Sequence, residues 1–225
     1  MRLIRLDGQW MAKVLNTLEV NYGRQIWRSR LKNPFEILTR TILSQNTTDI
    51  NADRAFDRLK ERFEVKAKVL AEAAIESIRE CIGVAGLGNI KARRIKEVSA
   101  LVESRFGGDL SKVLSLPLEE ARAALIEIPG IGDKTADVVL VFAGGRPVIP
   151  VDTHLFTVGR RLGVVKSKRY DEARKALEML IPPERRGTAH LLLLNHGKEI
   201  CTARKAWCSR CSINRLCMKI SVTKS

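Results

Sequence analysis

Apolar residues recur along this chain at helical rather than strand spacing. Met11, Val14, Leu15, Leu18 and Tyr22 share one stripe and predict an amphipathic helix over residues 8–22. After a basic connection, 24–32, that contains Trp27, a second helix should begin at Asn33-Pro34-Phe35-Glu36. Asparagine caps, proline fits the first helical position, and Glu36 stands where it can close a capping box. This helix carries Phe35, Leu38, Ile42 and Leu43, then breaks in the polar run Ser44-Gln45-Asn46-Thr47-Thr48-Asp49. Further helical stripes cover 50–63 and 75–82, where Cys81 reads as a small buried hydrophobe. A glycine turn from Gly83 then enters a helix that should stop at Gly107-Gly108. Later helices follow Asp152 to about residue 162, and cover 170–180 and 185–199, the last with a Leu191 to Leu194 run expected to be deeply buried. No stretch alternates convincingly with period two, so the chain reads as all-α.

Between these lies the stretch that carries chemistry, Leu125 to His154. The turn Pro129-Gly130-Ile131-Gly132 separates an arm bearing Leu116, Ala121, Ala124, Leu125 and Ile128 from one bearing Ala136, Val139, Leu140 and Ala143. Two glycines permit a tight turn and close approach to another surface. The amides that open the second helix, at the positive end of its dipole, suit a phosphate oxygen. Lys134 falls in that first turn, and Asp152 precedes the next helix in Val-Asp-Thr-His. Taken singly these residues have plainer roles, a helix connection, a solvated charge and an N-cap; their company suggests chemistry on nucleic acid. A second glycine turn, Gly83 to Ile95, could be a degenerate copy of the hairpin, with Lys91, Arg93 and Arg94 as phosphate contacts or as a solvated basic face.

Charge strengthens that reading. Among 225 residues, 40 Lys and Arg against 25 Asp and Glu leave a formal charge of +15. Such an excess draws polyanions and releases counterions on binding them. No long apolar run or signal-peptide pattern points to a membrane. Four of the five cysteines cluster as Cys201-x6-Cys208-x2-Cys211-x5-Cys217. With no secretory signal, disulfides are not expected, and four thiols in a reducing compartment point to a metal centre, zinc or iron–sulfur. Spacing chemistry alone does not choose between them.

Ile128-Pro-Gly-Ile-Gly-Asp-Lys-Thr-Ala-Asp-Val-Val, Val151-Asp-Thr-His and the cysteine cluster together resemble the endonuclease III family of helix-hairpin-helix DNA glycosylases. The resemblance extends over nearly the whole chain. It implies two helical domains with a DNA-binding cleft between them: a helical barrel over 27–146, and a second domain formed by 1–26 with 147–225. It implies a [4Fe-4S] cluster on Cys201, Cys208, Cys211 and Cys217, in a loop whose Arg204 and Lys205 meet phosphates. Lys134 would be the nucleophile, its neutral form favoured by the helix end, and Asp152 would stabilise charge on the sugar. Gly130 and Gly132 would grip the DNA backbone, with Lys91 nearby. A glutamine that fills the space left by an extruded base in that family aligns with Asn46, and Gln45 stands immediately before it. The expected activity is removal of oxidised pyrimidines such as thymine glycol, with strand cleavage by β-elimination, on double-stranded DNA carrying damaged bases or abasic sites. One active site suffices, so a monomer in the cytoplasm or nucleoid is expected. Two rivals remain: a glycosylase of thymine or uracil opposite guanine that does not cut the strand, which Lys134 argues against, and a non-enzymatic iron–sulfur protein that binds damaged DNA.

Overall fold

The computed structural model describes residues 5–23, 31 and 33–222; the basic connection around Trp27 falls almost wholly outside them. The helices run α1 Gly8–Tyr22, α2 Pro34–Ser44, α3 Asp49–Arg62, α4 Ala67–Glu72, α5 Ile75–Ile82 and α6 Gly88–Phe106. They continue as α7 Ser111–Leu114, α8 Leu118–Ile126, α9 Asp133–Phe142, α10 Thr153–Leu162, α11 Tyr170–Glu178 and α12 Arg186–Glu199. Among the described residues there is no strand, only an isolated bridge between Cys201 and Ala206. No helix among them is long and apolar enough to cross a membrane. The chain divides into two compact units, 29–146 and 1–28 with 147–225.

In the 29–146 unit, α2 packs against α3, α6 and α9, α6 lies on α4 and α5, and α8 pairs with α9. Phe35, Leu38, Ile42 and Leu43 of α2 are all buried, as their spacing requires. Asn33 caps this helix by accepting from the Phe35 amide at 2.8 Å. Glu36 ion-pairs with Lys60 of α3 at 3.1 Å.

The other unit is organised around α12, which packs on α1 and α10. Met11, Val14, Leu15 and Leu18 of α1 join Leu155, Val158 and Leu162 of α10, Leu177 of α11, and Leu192 and Leu193 of α12 in one core. Within the run Leu191 to Leu194 only the middle two are buried; the outer two are half-buried, since a helix cannot turn four consecutive side chains to one face. Replacing a fully buried leucine such as Leu18 with alanine costs about 2–5 kcal/mol.

Candidate active site

The hairpin forms between α8 and α9. Ile128 and Ile131 are buried at 0 and 3% exposure and pin the turn from inside. Gly130 has φ +83, a left-handed conformation that disfavours any other residue, and a Cβ there would collide with Arg94 Nε. Gly132 is the N-cap of α9 and contributes no capping side chain to the positive end of that helix, which favours an anion. Lys134 follows in that first turn, half-buried, with the exposed Asp133 before it.

The same unit contains the polar loop after α2. Gln45 is the C-cap of α2 and is half-buried; its Oε1 accepts from Arg94 Nη1 at 3.5 Å. Asn46 is exposed, with φ 53. The base of this loop is tied by Lys91, whose Nζ donates to the Leu43 carbonyl at 2.8 Å and the Ala85 carbonyl at 2.9 Å. Burial pulls the Lys91 pKa below the ordinary lysine value. The second glycine turn runs from α5 through Gly86 into α6, and Leu87 there has φ 53 while 51% exposed. That conformation costs a non-glycine residue roughly 1–2 kcal/mol.

In the other unit, Asp152 is the N-cap of α10. Its Oδ1 accepts from the His154 amide at 2.9 Å and the Leu155 amide at 2.8 Å, and the carboxylate is half-buried. The segment leading into it is buried at Val148, Ile149 and Val151. Glu178 accepts from the Ile149 amide, Tyr170 hydroxyl oxygen accepts from the Val151 amide, and the buried His190 Nδ1 donates to the Pro150 carbonyl. A main chain so held presents Asp152 in one position.

The four clustered cysteines line one pocket together with Arg161, His196 and Trp207. Arg161 Nη1 donates to Cys201 Sγ at 3.3 Å, the Arg161 carbonyl accepts from Cys217 Sγ at 3.3 Å, and His196 Nε2 lies 3.6 Å from Cys211 Sγ. Burial pushes the Cys211 thiol up to about 11 and raises Cys217 as well. Among the described residues no three Cys, His, Asp or Glu side chains close on one point as a single ion would require, so four thiols around one pocket suit a larger metal group that spans them. The loop from Cys201 to Cys208 is closed by the Cys201–Ala206 bridge and by the Thr202 hydroxyl, which donates to the Lys205 carbonyl and accepts from the Lys205 amide. Arg204 and Lys205 are exposed, and Lys205 Nζ lies 3.9 Å above the Trp207 ring.

Residues 39–183 match the model of the HhH-GPD superfamily of base excision DNA repair proteins. Endonuclease III of Sulfolobus acidocaldarius is 37% identical over 190 residues, 84% of this chain and 83% of that protein. The chain belongs to the endonuclease III family. Endonuclease III of Escherichia coli is 33% identical over 205 residues, 91% of this chain and 93% of its own length. The structure of a trapped endonuclease III–DNA covalent intermediate superposes with a TM-score of 0.82 at 29% identity, covering 96% of this chain and 97% of that one.

In this endonuclease III relative, Lys134, Gly130, Gly132, Gln45 and Asn46 lie in the 29–146 unit, while Asp152, Arg204, Lys205 and the four cysteines lie in the other. Lys91 departs from its expected role as a DNA contact. It is 3% exposed and its ammonium is committed to two carbonyls, so it braces the protein instead. Arg94, which the sequence left between a phosphate contact and a solvated face, turns inward against Gly130 and Gln45. Arg161 and His196 were passed over altogether. Nothing in the local pattern of α10 or α12 marks them, because their partners lie 40 and 15 residues away in the chain.

Proposed function

We propose that this protein is a bifunctional DNA glycosylase and AP lyase of base excision repair, acting on oxidised or ring-saturated pyrimidines such as thymine glycol in double-stranded DNA. The observation that carries the reading is Lys134, half-buried in the first turn of α9 immediately after a glycine hairpin whose N-cap residue has no side chain. Chemistry on one base of a duplex requires that base to leave the stack, at a cost of a few kcal/mol that is smaller for damaged bases. The hairpin holds the backbone phosphate beside the extruded nucleotide, and the loop 44–49 fills the vacated space.

The Lys134 amine then bonds to the sugar C1′ as the glycosidic bond breaks and the base leaves with the electron pair. Opening the sugar ring moves the proton to O4′ and leaves a C1′ imine. Loss of a C2′ proton expels the 3′ phosphate by β-elimination. Asp152 has both capping bonds on Oδ1, so Oδ2 is left to face positive charge developing on the sugar. No net electrons move in these steps.

Cys201, Cys208, Cys211 and Cys217 would hold a [4Fe-4S] cluster, whose contribution is to stiffen the loop between the first two. Arg204 and Lys205 then meet phosphates in fixed register, positioning the protein without reading sequence. The endonuclease III trapped as a covalent intermediate with DNA supports both the DNA partner and a covalent step. The test is a duplex containing thymine glycol with borohydride present, which reduces an imine to a stable protein–DNA adduct. The adduct should form with the native chain and vanish with Lys134→Ala. Base loss without an adduct would mean a glycosylase that does not cut, and neither product would return the choice to mismatched thymine or uracil and to simple binding.

A further inference from the structure

Arg94 stands between two parts of the 29–146 unit that the reaction uses separately. Its Nη1 reaches Gln45 Oε1 in the loop after α2. Its guanidinium end lies against the hairpin at Gly130, where a Cβ would run into Nε, Cδ and Cζ. Three residues earlier on α6, Lys91 fixes the base of the same loop through the Leu43 carbonyl. One turn of helix thus braces the loop twice and touches the hairpin once. Gln45 is held to the protein by this contact, and its neighbour Asn46 is exposed.

We propose that Arg94 is a positioning residue: it holds Gln45 against the hairpin, so that Asn46 is the side chain that enters the space left by the extruded base. This rests on the base-extruding function argued above. Guanidinium chemistry suits the post, since a planar fork can lie on a glycine backbone and still donate sideways to an amide oxygen. An ammonium can do neither in the same way. The arrangement also transmits register. A hairpin seated on its phosphate sets Arg94, and Arg94 sets where the loop meets the base stack.

The inference is tested on the full, metal-loaded chain by single-turnover removal of thymine glycol, with 2-aminopurine beside the lesion reporting unstacking. Arg94→Ala and Gln45→Ala should each slow unstacking and base removal roughly tenfold, and the double variant should be no slower than either single one. Asn46→Ala should slow the reaction further in either background. Arg94→Lys should behave as Arg94→Ala does. In Arg94→Ala, strand cleavage at a preformed abasic site, where no base needs extruding, should change less than about twofold. Independent, multiplicative effects of Arg94 and Gln45, or native rates in both, would overturn the inference while leaving the function intact. So would a salt dependence of binding weakened by about one phosphate contact in Arg94→Ala, which would make Arg94 a backbone contact. A native chain that neither excises nor traps would overturn the function, and the inference with it.

Discussion

Arg122 Nε donates to Asp137 Oδ1 at 2.9 Å, joining the two helices of the hairpin through side chains only 7 and 0% exposed. Burial alone would lower the arginine pKa, but Glu119 and Asp137 outweigh it and raise it, so the guanidinium stays charged. Asp137→Ala would leave that charge buried beside one exposed carboxylate and should cost about 3–5 kcal/mol, read as a lower denaturant midpoint. Replacing both residues with methionine and leucine should recover most of the loss. A single-variant cost under about 1 kcal/mol would show that Glu119 alone satisfies the arginine.

Asparagine caps helices about as well as aspartate, so Asp152→Asn should leave α10, the melting temperature and DNA affinity close to native. Base removal should nevertheless fall by two or more orders of magnitude, because the charge facing the sugar is gone. Unchanged single-turnover rates would reduce Asp152 to its cap.

Salt dependence separates surface cations from buried ones. Arg204→Ala with Lys205→Ala should weaken binding to every duplex and lower the slope of log affinity against log salt by about two. Lys91→Met should not alter that slope, since its ammonium is bonded to two carbonyls. Its effect belongs to stability. Burial keeps the folded pKa of Lys91 below its unfolded value, so the unfolded chain binds more protons between the two, and stability rises with pH across that window. Lys91→Met should flatten this rise, which denaturant titrations just below the ordinary lysine value of about 10.4 would show. A fall of about one in the salt slope for Lys91→Met would instead place the ammonium on a phosphate.

Cys211→Ser should abolish iron incorporation, seen as lost iron content and lost visible absorption, and weaken DNA binding as the loop slackens. If iron content stays native, Cys211 is not a ligand and the cavity it lines serves another purpose.

The helices were largely legible because each carries a stripe with one buried face. Over residues 8–22 the stripe gives both ends of α1, where Asp7 caps and Gly23 terminates. Helix α4 is six residues and α7 four, too short for a period to show. Lys134 and Asp152 stood out through motif spacing. Lys91 did not declare its fate, since a lysine on a helix after a glycine turn reads as solvated until the Leu43 carbonyl, 48 residues back, is seen above it. Arg94 was ambiguous for the same reason.

Helix α10 is capped by Asp152 and ends at Leu162, and its penultimate residue, Arg161, holds Cys201 and Cys217. Ten helical residues make a rod of about 15 Å. One end of that rod aims a carboxylate, and the other is moored to the thiols of the C-terminal loop. A disturbance at the sulfurs would therefore reach the carboxylate through one rigid rod.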